Sequence, residues 1–369
     1  MSFLETKTVI RFDCRHYIGE KPCRFRRLCD GCGEYSPMGA RVLVIKLAAM
    51  GDVIRTTPIV EPIRARHGAC HLTWVVDAIT APLLDGIDGI DRVVEMSPTN
   101  TAILAAREWD EVYCLDKEPR AIALAARIRA ETKRGFTMTP WGTLGICGPE
   151  AEYALRLGLD DPLKFLENTK TYQEIIFEAV GFAFRDQPVR IGVTDVERET
   201  AAAYLASLGP GPYVGVNTGA GPVFATKRLS ERQTADLMRA IHVDTGMTPI
   251  VLGGRDETER NARIVAEAAV GIDARTHHTV REFAAIVGNM RAIVCADTLA
   301  MHLAVAQGVP VVALFGPTCP QEVHLYGRGE KIVSAPWCAP CYKGRCDHHT
   351  CMNEIETDPV VAALRRWID

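Results

Sequence analysis

Short apolar runs recur along the chain, each ending in a loop of small residues and followed by a helical pattern. Val42-Leu43-Val44-Ile45 gives way to Ala48-Ala49-Met50-Gly51, and Tyr213-Val214-Gly215-Val216 to Thr218-Gly219-Ala220-Gly221. Runs without an alternating polar face suit strands buried on both sides, as in a parallel sheet whose crossovers are helices. Similar runs occupy 72–76, 112–115, 249–252, 292–295 and 311–315. Helices are predicted over 52–67, 121–130 and 231–243, the last with Ser230 as N-cap.

The pattern breaks before Pro188 and then starts again. At 369 residues the chain has room for two domains of ordinary size. The expected division is a cysteine-rich extension over 1–38, a first Rossmann-like domain over 39–190 and a second over 191–355, the second carrying a cysteine-rich loop at 336–352. A helix over 356–369 is expected to pack back on the first domain. In a pair of such α/β domains with parallel sheets, ligands bind at the carboxyl ends of the strands, which puts the active site in the cleft between them.

The charges nearly cancel, at 42 basic against 46 acidic residues, so no electrostatic funnel for nucleic acid is implied. No segment nears the ~20 apolar residues of a membrane span. Glu5, Lys7, Arg11 and Asp13 interrupt the start of the chain where a signal peptide would be apolar. The expected location is cytoplasmic. In that setting the 13 cysteines read as thiols and metal ligands rather than as a disulfide framework.

Three motifs carry chemistry. In the first, Met50-Gly51-Asp52 follows a strand and opens a helix; Asp52 is either a general base facing the cleft or merely a cap. In the second, Thr218 and Gly219 begin a small-residue loop with Lys227 behind it, a backbone approach to phosphate plus a compact positive charge. The loop has neither the Walker nor the GxGxxG spacing. In the third, Asp297-Thr298-Leu299-Ala300 ends a strand and opens a helix with free amides, with His302 one turn beyond Thr298 and Gly316-Pro317-Thr318 ending the next strand.

Taken in order, Met50-Gly51-Asp52, Lys227, Asp297 to His302 and Phe315-Gly316-Pro317-Thr318 resemble glycosyltransferase family 9, the heptosyltransferases that use ADP-heptose. The resemblance implies a GT-B fold and inverting transfer without a catalytic metal. By position, Asp52 would take the proton of the acceptor hydroxyl and Lys227 would neutralise the leaving diphosphate. The turn at Asp297-Thr298, its following amides and His302 would hold that diphosphate, and Asp256 would help bind the nucleoside. The implied donor is ADP-heptose and the implied acceptor is the inner core of lipopolysaccharide, with peripheral contact at the inner membrane. Another nucleotide sugar, or a protein or small-molecule acceptor, stays open. So does a metal- or redox-sensing protein on a transferase scaffold. Leu299 and Arg228-Leu229 depart from the residues common at those places in the family.

Two cysteine sets stand apart: Cys14, Cys23, Cys29 and Cys32, and Cys338, Cys341, Cys346 and Cys351, each containing one CxxC. Four thiolates at such spacing point to a structural metal. Zinc, mononuclear iron and an iron–sulfur cluster are not separated by spacing, nor is one shared site from two. The second set resembles iron-carrying loops of autotransporter heptosyltransferases. Between the first cysteines, Arg24-Phe25-Arg26-Arg27 is either a solvated loop or a contact for an anionic acceptor or membrane surface.

Overall fold

The computed structural model describes residues 8–18, 21–221 and 223–368, so part of the amino-terminal extension lies outside it. The first sheet comprises β1 (Ala40–Ile45), β2 (Cys70–Val76), β3 (Arg92–Glu95), β4 (Glu108–Cys114), β5 (Arg129–Met138) and β6 (Leu144–Ile146), in the order β3-β2-β1-β4-β5-β6. All its pairings are parallel except β5 with β6. The second comprises β7 (Tyr213–Asn217), β8 (Thr248–Leu252), β9 (Ile272–Asp273), β10 (Ala292–Ala296), β11 (Val311–Phe315) and β12 (Gly329–Val333), in the order β12-β11-β10-β7-β8-β9, parallel throughout. The two orders are the same when each sheet is counted from its own first strand. The expected pair of Rossmann-like domains is therefore present.

The central strands are buried along their whole length, as at Cys70–Val76 and Val311–Phe315. The predicted runs fall on these strands, mostly as the cores of longer ones, though 311–315 is the whole of β11 and 112–115 runs one residue past β4. Ser230 does cap its helix: its hydroxyl accepts from the Gln233 amide, and the Gln233 side chain accepts from the Ser230 amide. The helix stops at Thr245, where Gly246 takes the left-handed conformation.

Residues 182–193 cross between the sheets, tied to the first by mutual bonds between Thr57 and Arg190 (Arg190 N–H to Thr57 Oγ1, 2.9 Å). The helix Asp195–Leu208 follows, and Leu205 joins the second domain's core. The domains also share apolar surface, because Ile54 and Leu83 of the first lie in a cluster with Met301 and Leu303 of the second.

One expectation fails. The last helix, Thr357–Ile368, packs on the second sheet rather than on the first domain. Val360, Val361, Ala363, Leu364 and Ile368 are buried with Val294, Val312 and Leu314. Its apolar stripe covers the open face of β10 and β11.

Candidate active site

The site is built where the carboxyl ends of β1 and β10 meet across the cleft. Helix Met50–Thr56 starts after β1 with Ala49 at the cap and no side-chain cap bond. Asp52 is thus in the first turn, and the capping reading of this residue is set aside. Gly51 is one point of close approach between the domains: a Cβ there would collide with His302 Cδ2 and lie 3.2 Å from Nε2. Only a hydrogen fits between that backbone and the imidazole.

Arg55, one turn on from Asp52, donates to Asp52 Oδ1 from Nε at 3.1 Å and from Nη2 at 2.7 Å. Its guanidinium lies 3.7 Å from the centroid of the Tyr172 ring. Burial works to raise the Asp52 pKa, but the charges of Arg55 and Lys46 and the Arg55 hydrogen bonds outweigh it, holding the carboxyl below the ordinary range. About a third of the side chain (34%) still reaches solvent, so a hydroxyl can approach it.

Lys46, the residue after β1, is almost fully buried and lies 3.3 Å from Asp116 Oδ2. Burial acts against its charge, yet Tyr172, Asp52 and Asp116 keep its pKa above the usual lysine value. Asp116 also accepts the amides of Leu47 (2.9 Å) and Ala48 (3.2 Å), fixing the loop that delivers Asp52. Asp52 therefore sits in an environment of positive charge held on rigid elements.

Across the cleft, Lys227 Nζ donates to the Asp297 carbonyl at 2.9 Å and to its Oδ2 at 3.2 Å. His302 Nε2 is 3.7 Å from Asp297 Oδ1. Burial opposes the Asp297 charge, but the neighbouring His302 ring and the Lys227 charge overcome it and hold the carboxyl far below its ordinary value. Burial also dominates at His302 and lowers its pKa, leaving a neutral imidazole. Thr298 is the N-cap of helix Leu299–Ala306 without capping it through its side chain; its hydroxyl instead lies 3.2 Å from Asn217 Nδ2. The helix thus begins with amides at Leu299 and Ala300 whose ordinary partners would lie outside the helix.

Asn217, Gly219, Lys227 and Arg228 line one cavity at the end of β7. Thr218 lines it too, with its hydroxyl donating to the Leu252 carbonyl and to Asn261 Oδ1. Asp256 is exposed, whereas its neighbour Glu257 is buried behind Gly219, 2.9 Å from where a Cβ would stand. Gly316, Pro317 and Thr318 form a buried turn after β11. The structure thus brings Met50, Gly51 and Asp52 to one side and Lys227, Asp297, Thr298 and His302 to the other. Sequence reasoning missed Lys46, Arg55, Asp116, Tyr172, Asn217 and Glu257. A lysine closing an apolar strand and an arginine three residues after an acid were the legible signals.

The cysteine-rich loop lies under the donor side. Pro317 accepts the amides of Cys341 (3.0 Å) and Tyr342 (2.9 Å), and Thr226 Oγ1 donates to the Lys343 carbonyl at 2.8 Å. Cys338, Cys341, Cys346 and Cys351 line one cavity with Thr226 and Pro317, and Cys14, Cys23, Cys29 and Cys32 line another. The two sets are separate. Every cysteine is free, and among the described residues no three or more His, Cys, Asp or Glu side chains are grouped closely enough to hold a metal as they stand.

Residues 155–351 match the sequence profile of glycosyltransferase family 9 (heptosyltransferase). The chain belongs to glycosyltransferase family 9. Lipopolysaccharide heptosyltransferase 1 of Pseudomonas aeruginosa is 25% identical over 330 residues, covering 84% of this chain and 88% of that protein. Among solved structures, the ADP-heptose lipopolysaccharide heptosyltransferase II of Escherichia coli superposes with a TM-score of 0.66 at 18% identity, over 89% of this chain and 98% of that one. The iron-containing dodecameric glycosyltransferase TibC of enterotoxigenic E. coli H10407 gives 0.56 at 13%, over 89% and 76%. These two likenesses show the shared GT-B fold of family 9. The chain is a glycosyltransferase of the heptosyltransferase family.

Proposed function

We propose that this enzyme transfers a heptose from ADP-heptose, with inversion, to a hydroxyl of a lipopolysaccharide inner-core acceptor. The observation that carries the reading is the opposition of Asp52 to the Lys227–Asp297–His302 cluster, with Gly51 against His302 between them. Displacement at an anomeric carbon passes through an oxocarbenium-like state while negative charge grows on the leaving diphosphate. Lys227 and the amides of Leu299 and Ala300 are placed to stabilise that charge, most strongly when it is fully developed. Asp297 holds Lys227 in place, and the neutral His302 offers a donor without adding charge.

Asp52 is held at a low pKa by Arg55, so it is a weak base towards an unreacted alcohol. It takes the proton late, once bond formation has made the hydroxyl acidic. Gly316, Pro317 and Thr318 close the far wall of the donor pocket, and Glu257 rather than Asp256 is the acid next to the nucleotide loop.

The names of the relatives supply the heptose, the ADP and the lipopolysaccharide. A glycolipid acceptor would place the enzyme at the cytoplasmic face of the inner membrane as a peripheral protein; among the described residues no helix is long and apolar enough to cross one. A structural metal at Cys338, Cys341, Cys346 and Cys351 belongs to the same reading. The donor set is all sulfur and faces one cavity, and an ion there would brace the turns carrying Lys227 and Thr318 without entering the reaction.

The test is turnover with ADP-heptose and truncated lipopolysaccharide, following ADP release, with UDP- and GDP-sugars as competitors. ADP-heptose as the best donor and glycolipid-dependent release support the reading. Equal use of another nucleotide sugar, or release only with a protein acceptor, overturns that part of it.

A further inference from the structure

The amino-terminal cysteine set lies away from the transferase cleft. Among its described residues, segment 8–38 has no helix, and its strand content is limited to isolated bridges, Cys14 with Pro37 and Tyr17 with Cys23. The same residues build no apolar core. Val9, Phe12, Ile18, Phe25, Leu28 and Tyr35 are exposed, and Cys14 is its one buried apolar side chain among the described residues. A stretch this short with so little buried surface needs a staple to hold one conformation.

The backbone is nevertheless sharply organised, and the organisation follows the cysteines. Each of the four opens a tight turn. The carbonyl of Cys14 accepts from Tyr17, that of Cys23 from Arg26, that of Cys29 from Cys32 and that of Cys32 from Tyr35, at 2.9 to 3.5 Å. The Arg11 amide donates to Cys29 Sγ at 3.3 Å. All four thiols line one cavity together with His16 and Arg27, and none is in a disulfide.

We propose that Cys14, Cys23, Cys29 and Cys32 bind one divalent transition-metal ion as a tetrathiolate, and that this ion fixes segment 8–38 on the first domain. Zinc and ferrous iron both suit four sulfurs in a tetrahedron. Four thiolates around a divalent ion leave two net negative charges, which Arg27, lining the same cavity, is placed to offset in part. As they stand the sulfurs surround the cavity without closing to coordination distance, and binding would draw them in. The segment docks through Arg15 on Asp91, just before β3, and its Asp13 carbonyl accepts from the amide of Met38, which leads into β1. That is the amino end of the sheet, opposite the cleft, so the ion is a staple and takes no part in transfer.

The experiment is elemental analysis of the freshly purified full chain beside C29S/C32S and C338S/C341S variants, with native alkylation of the wild type read by mass spectrometry. The expected result is that C29S/C32S loses one metal equivalent, becomes cleavable by protease within 8–38 and keeps wild-type ADP release. C338S/C341S keeps that equivalent. In the wild type, the four thiols resist iodoacetamide until a chelator is added, and the element found separates zinc from iron. Unchanged metal content in C29S/C32S overturns the proposal. If that variant does not fold, the wild type decides: prompt alkylation of the four thiols before chelation, or disulfides among them, overturns it equally.

Discussion

Arg55 places both Nε and Nη2 on a single oxygen of Asp52, at 3.1 and 2.7 Å. The other carboxylate oxygen is left out of that grip. The same arginine lies on the Tyr172 ring and reaches towards the Glu322 carbonyl of the second domain at 3.5 Å. The residue that orients the base therefore also spans the cleft, coupling domain closure to the aim of the carboxylate.

Because Arg55 holds the Asp52 carboxyl below its ordinary range, replacing it raises that pKa. Asp52 must be ionised to accept a proton, so the acidic limb of the kcat/KM–pH profile should move to higher pH in Arg55→Met. The rate at neutral pH should fall by about tenfold or more through loss of aim. Arg55→Lys should restore part of the profile shift and little of the rate, since an ammonium keeps the charge without the fork. An acidic limb that stays in place would remove Arg55 from this role.

Gly51→Ala should cost about 1–3 kcal/mol of stability, because the added methyl collides with the His302 ring across the interface. It should also lower kcat/KM by holding the domains apart. Combined with His302→Ala, the alanine at 51 should cost much less than it does alone. Thermal melts and kinetics on the two single variants and the double variant check this. Simple additivity would show that the contact does not set closure.

Much of this arrangement was legible in the chain. The apolar runs marked strands at the centre of both sheets, since such strands are buried on two faces. Strand β5, Arg129–Met138, escaped because its first half is charged and partly exposed, a pattern with no apolar periodicity. Strand β9 is two residues long and leaves almost no signal. Asp52 and Asp297 were legible because each lies between a strand and the start of a helix, Lys227 because it follows the small-residue loop after β7, and His302 because it lies one turn beyond Thr298. Tyr172 and Asp116 were not, because only tertiary folding brings them beside Lys46 and Asp52. Asp256 was chosen over Glu257 because neighbouring acids in a loop look alike until one is buried.

His302 gives a pH signature in stability. Burial lowers its pKa in the folded chain, so below about pH 6.5 the unfolded chain binds a proton that the folded chain does not. Stability is then complete above that pH and is lost as pH falls through it. Asp297, held far below the usual range, stays ionised across the same window and adds no slope. Urea unfolding at about pH 7.5 and about pH 5.5 should show a smaller loss in His302→Gln than in the wild type. Equal losses would mean that His302 is protonated in the folded protein.

The central claim, a carboxylate base facing a diphosphate cradle, is tested most directly by ADP release from ADP-heptose with acceptor in Asp52→Asn. The change keeps shape and removes the base. The account predicts a fall in kcat of about 10²–10⁴-fold with the donor KM nearly unchanged, while Lys227→Ala raises the donor KM as well. Asp52→Asn turnover within about twofold of the wild type would contradict it, since no loss of that size is compatible with general-base catalysis by this residue.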